Sequence, residues 1–295
     1  MPEGHSVHRL AAQFNSVFGG QRLAVSSPQG RFAAGAERVN GHILDAARAH
    51  GKQLFLHFDN ELILRVHLGL YGAWDFGGDE TFRGASSIGA PRRVGEREAY
   101  DDDTHLAYDG PPEPVGQVRA RLVSAHGWAD LRGPTACEVI TEGERSAVVA
   151  KLGPDPLQPE AGPDEFVQRL TSKGSAVGTL LMSQDVIAGV GNIYRAETLF
   201  RRGLNPWRPG KSLSSEEAAL LWEDIALVMH DGVRDGRIIT TRAEHRDGSG
   251  RPVWPDNAHY VYQRQGLGCR VCGADVVLAE MGNRKLYWCP SCQQA

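Results

Sequence analysis

From Val7 to Phe18, apolar residues at Val7, Leu10, Ala11, Phe14, Val17 and Phe18 recur at helical spacing, and Gly19-Gly20 ends the run. The period then changes. Gln53–Asp59 alternates, and Glu61–His67 alternates with Leu62, Leu64 and Val66 on one face, which predicts strands. Glycine-rich and acidic stretches such as Phe76–Asp79 and Asp101–Asp103 interrupt this β-rich half. After the proline-punctuated Leu152–Leu157 the pattern becomes helical. Helices are predicted over Asp164–Thr171, Ser175–Met182 and Ala218–His230. Ser214 opens the last with a Ser-x-Glu-Glu capping box, and Leu220, Leu221, Ile225, Leu227 and Val228 are expected on its buried side. Arg242–Pro255 carries no apolar period and is too long for a tight turn, so it reads as a functional or disordered loop. No internal repeat is present.

Composition adds bounds. A chain of 295 residues holds about two cores, and 41% hydrophobic with 23% charged residues is the balance of a water-soluble globular protein. No run approaches the length of a membrane span, and MPEGHSVHRL lacks the apolar region of a secretory signal, so a cytoplasmic protein is expected. The net charge of −4 argues against a nucleic-acid partner, but an average hides local patches.

Four of the five cysteines fall in a C-x2-C-x16-C-x2-C pattern: Cys269, Cys272, Cys289 and Cys292. Each doublet offers two thiolates to one tetrahedral ion, and four thiolates leave no open position, so a structural zinc is expected. Two disulfides or a redox pair are the alternatives, which the odd cysteine count and the start of the chain disfavour. Val276–Leu278 and Leu286–Trp288 read as a hairpin turning at Gly282-Asn283, with Arg284 and Lys285 at its tip. Cys137 is expected as a buried small hydrophobe.

In Gln184–Tyr194, Gly189 and Gly191 precede a helix expected to start near Asn192. Glycines permit close backbone approach, and free N–H groups with the helix dipole attract an anion. A plain Asn cap after a glycine turn has the same sequence. The basic Arg201-Arg202 downstream favours the anion reading.

Pro2 follows the initiator Met1. Removal of Met1 leaves a secondary amine whose pKa lies well below that of lysine, able to attack a carbonyl-like carbon and form an iminium. Glu3 beside it supplies a carboxyl for proton transfer. His5 and His8, three apart beside Glu3, suggest a metal site less well than an ordinary, partly exposed helix face.

Met-Pro-Glu-Gly-His at the start, Gly51-Lys52 before a strand, and His67-Leu68-Gly69-Leu70-Tyr71-Gly72 resemble the formamidopyrimidine-DNA glycosylase/endonuclease VIII family. Leu152–Leu157, Gly189–Tyr194, Val261-Tyr262-Gln263-Arg264 and the four-cysteine knuckle with Arg284 follow in that family's order across nearly the whole chain. The start and the Leu70-Tyr71 step are more similar to the endonuclease VIII branch.

The resemblance implies an α+β multidomain protein. Residues 1–135 would form a catalytic β-sandwich with an opening helix, 136–157 a linker, 158–262 a helix-two-turn-helix domain and 263–295 a zinc finger. It implies a base-excision enzyme, at the nucleoid, acting on damaged duplex or single-stranded DNA held between its halves; the sequence carries no oligomer signal, so a monomer is the default expectation. Pro2 would attack C1′, and Glu3 would protonate the opening sugar and later help elimination. Lys52 would bind phosphate and assist β-elimination, and Arg284 would clamp flanking phosphates and assist δ-elimination. Asn192, with the turn amides around Gly191, would hold the kinked strand.

A base must leave the stack before C1′ is reached. Leu70 and Tyr71, flanked by Gly69 and Gly72, suit a wedge that fills the gap, although core packing is the ordinary fate of such a pair. Arg132 would be a further strand contact. Where the oxidised-purine branch carries Arg-Arg-Phe, this chain has Leu131-Arg132-Gly133-Pro134, which favours oxidised pyrimidines over 8-oxoguanine. Two other readings stay open: a non-catalytic binder of damaged or abasic DNA with the same fold, and a zinc-ribbon module on an unrelated enzyme. Because few cations are placed on DNA, binding should fall gently with salt.

Overall fold

The computed structural model describes residues 2–90, 110–248, 250 and 252–294, so Met1 and the acidic Asp101–Asp103 lie outside the described residues. The opening helix begins before its apolar stripe: α1 spans Gly4–Phe18, with Glu3 at its N-cap. It buries Val7, Leu10, Phe14 and Phe18 and ends at Gly19. The chain divides into two compact units, Met1–Ala150 and Lys151–Ala295.

In the first unit, β1 (Arg22–Ser26) and α2 (Ala33–Val39) lead to β2 (His42–His50), β3 (Gln53–Phe58), β4 (Ile63–His67), β5 (Ala73–Gly78) and β6 (Ser87–Gly89). Then come β7 (Val118–Val123), β8 (Gly127–Arg132), β9 (Ala136–Ile140) and α3 (Glu142–Val149). The strands are hydrogen-bonded in the order β6-β5-β8-β7-β1-β2-β3-β4-β9. β1 joins two halves, because Arg22 and Leu23 pair with β2 while Ala24–Ser26 pair with β7. Both halves bury side chains in one core with α1: Leu54, Leu56, Leu64 and Val66 from one, Trp74, Phe76, Leu122 and Leu131 from the other. The expected sandwich is thus a packing arrangement within a continuous hydrogen-bonded order.

The stretch expected as linker is folded along most of its length. β9 pairs with β4 from Ile63↔Ile140 to His67↔Ala136. A second small cluster of Phe55, Ile63 and Ile140 takes Val148 and Val149 from α3. Because β3 turns the apolar Phe55 away from the main core, that side chain needs this cover. Cys137 is half-buried, packs against the main core, and has its thiol pushed up to about 12 by burial.

The second unit holds α4 (Pro163–Thr171), α5 (Val177–Leu180), α6 (Asn192–Arg201), α7 (Ser215–Asp235), β10 (Val277–Glu280) and β11 (Lys285–Trp288). The capping box at Ser214 is complete, since its hydroxyl accepts from Glu217 N and the Glu217 carboxylate accepts from Ser214 N. Leu221, Ile225 and Val228 are buried as expected, but Leu227 is 54% exposed, and Trp222 and Met229 complete the inner face. Arg242–Pro255 contains a short 3-10 turn at Ala243–His245 and is tied down by Asn257, which exchanges bonds with Asp247. Among the described residues, no helix is long and apolar enough to cross a membrane.

Candidate functional site

The course of α1 decides what gathers at one end of the first unit. Gly20 N donates to Leu44 O, and Asn15 exchanges two bonds with Ala47, so α1 runs antiparallel to β2. β2 then continues toward the N-terminus of the helix. Pro2 and Glu3 therefore share an end with the Gly51-Lys52 turn that links β2 to β3. His67 pairs with Gln53 at that same end, and the loop holding Leu70 and Tyr71 follows it directly.

Pro2 is buried and Glu3 is fully so, yet the Glu3 side chain does not cap α1; its backbone oxygen accepts from Ser6 N at 3.0 Å. His5 is buried, not on an exposed face, and contacts Ser6 Oγ at 3.2 Å. Burial brings its imidazole down to about 3, with Arg9 pushing the same way, so it is neutral at ordinary pH. The only side chains among the described residues grouped to hold a metal are the four knuckle cysteines, which removes the His5–His8 metal site. His67, quoted in the sequence motif but given no role there, sits beside Lys52. Burial, then the Lys52 and Arg65 cations, hold its imidazole below the ordinary histidine range.

Leu70 and Tyr71 are 45% and 81% exposed, which excludes core packing for the pair. Gly72 N closes the loop on Leu68 O at 3.0 Å. Gly69 has φ +67°, and a Cβ there would lie 1.8 Å from Thr135 Oγ1. Gly69→Ala is expected to strain the backbone and push the loop off Thr135, costing about 1–3 kcal/mol. A thermal melt together with lesion binding checks this; an unchanged melt and full binding would show that the loop tolerates the methyl.

Arg132 is engaged within the first unit. Its guanidinium pairs with Asp75 across the sheet and donates to Val115 O at 2.8 Å. With the side chain 16% exposed and its charge already matched, it ties strands together and offers little to a phosphate. Arg201 is corrected for the same reason, since it pairs with Asp224 and donates to Thr240 O.

In the second unit, Gln184 staples the glycine turn: Gly189 N donates to its Oε1 at 3.1 Å and its Nε2 donates to Val190 O at 3.0 Å. Gly189 has φ +90°, and extended Gly191 is the N-cap of α6. Asn192 is 8% exposed, and its Nδ2 donates to Lys285 O at 3.0 Å. This bond brings the N-terminus of α6 to the tip of the β10–β11 hairpin. The tip turns through Gly282 and Asn283, both at positive φ, and leaves Arg284 exposed. Gly191, Asn192 and Arg284 are thus brought together.

Sequence reasoning gave no role to Glu197, which is fully buried on α6. Its carboxylate accepts from Thr240 Oγ1 and from the N–H groups of Tyr260, Val261 and Tyr262. It therefore shapes the Val261–Arg264 motif from behind.

The cysteine sulfurs lie within 4.8 Å of one another, with Cys269–Cys292 at 3.8 Å and Cys272–Cys289 at 3.5 Å. A tetrahedral ion with metal–sulfur bonds of about 2.3 Å needs sulfur separations of about 3.8 Å. The donor set therefore fits one thiophilic ion. Ala274 N–H donates to Cys272, drawing that thiol down to about 7 and toward the thiolate a metal requires.

Comparison with known proteins agrees with this layout. Residues 1–112 match the formamidopyrimidine-DNA glycosylase N-terminal domain, and 152–243 match the H2TH domain of the same glycosylase. The chain is 44% identical over 294 residues to endonuclease 8 1 of Mycobacterium tuberculosis, covering 99% of this chain and 100% of that protein. It is 28% identical to the formamidopyrimidine-DNA glycosylase of Laribacter hongkongensis over the full length of both. Among solved structures, MutM (Fpg) of Thermus thermophilus superposes with a TM-score of 0.72 at 25% identity, covering 99% and 98% of the two chains. A Lactococcus lactis Fpg mutant in complex with Fapy-dG-containing DNA gives 0.75 at 20% identity over both whole chains. The two matched domains and the four-cysteine cluster define a class of DNA-repair glycosylases. The chain belongs to the formamidopyrimidine-DNA glycosylase/endonuclease VIII family.

Proposed function

We propose that this protein is a bifunctional DNA glycosylase and abasic-site lyase of base excision repair, acting on oxidised bases, pyrimidines foremost. The observation that supports the reading is that buried Pro2 and Glu3 lie at the end of the first unit that also carries the Lys52 turn and the exposed Leu70-Tyr71 loop. The 44% identity to a protein named endonuclease 8 supports the endonuclease VIII branch, and the Leu131–Pro134 stretch in place of Arg-Arg-Phe is what favours pyrimidines.

Each group has work its chemistry suits. The Pro2 nitrogen attacks C1′ and the base departs, taking up the proton the amine loses; the nitrogen lone pair then breaks the C1′–O4′ bond, leaving an iminium. Glu3 gives a proton to the opening sugar oxygen. Loss of the C2′ proton breaks the C3′–O bond, and Lys52 neutralises the departing phosphate. Loss of the C4′ proton then breaks the C5′–O bond, with Arg284 on the second phosphate. Water hydrolyses the iminium and frees Pro2. Tyr71 and Leu70 occupy the gap left by the everted nucleotide. The four cysteines would hold one structural Zn²⁺, which supplies rigidity to the hairpin and no step in the reaction. The protein would work as a monomer at the nucleoid.

Borohydride trapping on thymine glycol, dihydrouracil, 8-oxoguanine and abasic DNA, single- and double-stranded, tests this reading. The expected result is covalent capture and strand scission on abasic and oxidised-pyrimidine duplexes. Tight lesion binding with neither capture nor nicks would establish the non-catalytic binder instead.

A further inference from the structure

One buried side chain holds the hairpin tip from inside. Arg195, on α6, is 1% exposed. Its Nη2 donates to Lys285 O at 2.9 Å and to Asn192 Oδ1, and its Nη1 reaches Met281 O at 3.4 Å. Met281 and Lys285 bracket the Gly282-Asn283 turn, and Arg284 lies between them in exposed chain. A planar guanidinium can fix two carbonyls on either side of a turn at once; a single ammonium cannot hold both in that geometry. Burying a cation is costly, and an apolar side chain would pack the same space more cheaply. The arrangement makes sense if the pose of the tip matters. The sulfurs hold the base of the hairpin, and Arg195 holds its far end.

We infer that Arg195 is the positioning residue for Arg284 and thereby sets how far the reaction runs from β- to δ-elimination. The inference rests on the proposed function above. After β-elimination, the C4′ proton passes to water and its electron pair joins the conjugated system. The C5′–O5′ pair then leaves with the phosphate. Arg284 neutralises charge growing on that leaving group, and its benefit depends on its pose. Arg195, 1% exposed, offers no surface to sugar or phosphate and acts through the groups it holds, the tip and Asn192.

The test uses the full-length protein in single turnover at saturating enzyme, on abasic duplex labelled at the 5′ end of the cut strand. The ratio of 3′-phosphate to 3′-unsaturated aldehyde reports the partition and does not depend on affinity. Arg195→Gln is expected to lower this ratio about tenfold while borohydride trapping stays within about twofold and one zinc per chain is kept, with Arg195→Lys recovering part of the ratio. An unchanged ratio in zinc-retaining Arg195→Gln overturns the inference. If that variant loses zinc or unfolds, Arg195→Lys decides: a lowered ratio with zinc retained supports the inference, and a wild-type ratio overturns it. Loss of zinc in both variants also overturns it, because the tip would then not be held apart from the metal. Absence of trapping with the wild-type protein overturns the proposed function and this inference together. Trapping with an unmoved ratio overturns the inference alone.

Discussion

Protein in which Met1 remains attached to Pro2 is expected to give no borohydride-trapped complex on abasic DNA, a loss of at least about 10³-fold relative to protein beginning at Pro2. The cause is elementary. An amide nitrogen has no available lone pair, whereas a free α-amino group with a pKa near 8 is neutral in roughly a fifth of molecules at pH 7.4. Intact mass must first establish which form is present. Pro2→Gly keeps a terminal amine but makes it primary, so trapping should fall without vanishing. Glu3→Gln separates the two halves of the reaction. It should lose about 10²–10⁴-fold in excision of an oxidised base, where a proton donor is needed, and far less in trapping of a preformed abasic site. Undiminished trapping with Met1 retained would move the nucleophile elsewhere, with Lys52 at the same end of the unit as the next candidate.

How much of this was legible before the structure depends on whether each signal is local. The stripe of α1, the Ser214 capping box and the paired cysteine doublets all lie within a few turns of chain, and all three stand where expected. The β9–α3 stretch was read as linker because its evidence is distributed. β9 is only partly buried, α3 buries no residue fully, and the apolar partners of both lie on β3 and β4.

Charge pairing is hidden from the sequence for the same reason. Nothing near Arg132 announces Asp75, and nothing near Arg201 announces Asp224, so two cations available by sequence are matched in the fold. Conversely, Arg195 and Glu197 look like the solvated face of a helix, yet both are buried and shape the backbone that presents the site. Recognition of the site rested on motif order. Its assembly needed the antiparallel course of α1 along β2, which no single motif encodes.

Metal removal should separate stability from catalytic partition. The knuckle core is small: Ala196, Phe200, Tyr260, Val261, Val276 and Tyr287 around Cys269 and Cys289. Such a cluster is too slight to order four thiols unaided, and a structural zinc typically contributes several kcal/mol of folding free energy. Chelation, or Cys289→Ser, is therefore expected to remove one zinc per chain and lower the melting temperature by about 10 °C or more, as a loss of 3 kcal/mol or more implies. The helices should persist, because the core formed by Phe166, Leu181, Tyr194, Leu221 and Ile225 contains no knuckle residue. Two links should survive in part: Gln293 Nε2 to Leu204 O at 2.9 Å, and Arg195 to the hairpin tip. The metal-free protein should thus bind lesion DNA weakly and cleave it slowly, while Arg195→Gln keeps its metal and chiefly changes the product ratio. A calorimetric scan with zinc analysis distinguishes the two. Zinc-free protein that melts unchanged would mean that the cysteine cluster is not a structural metal site.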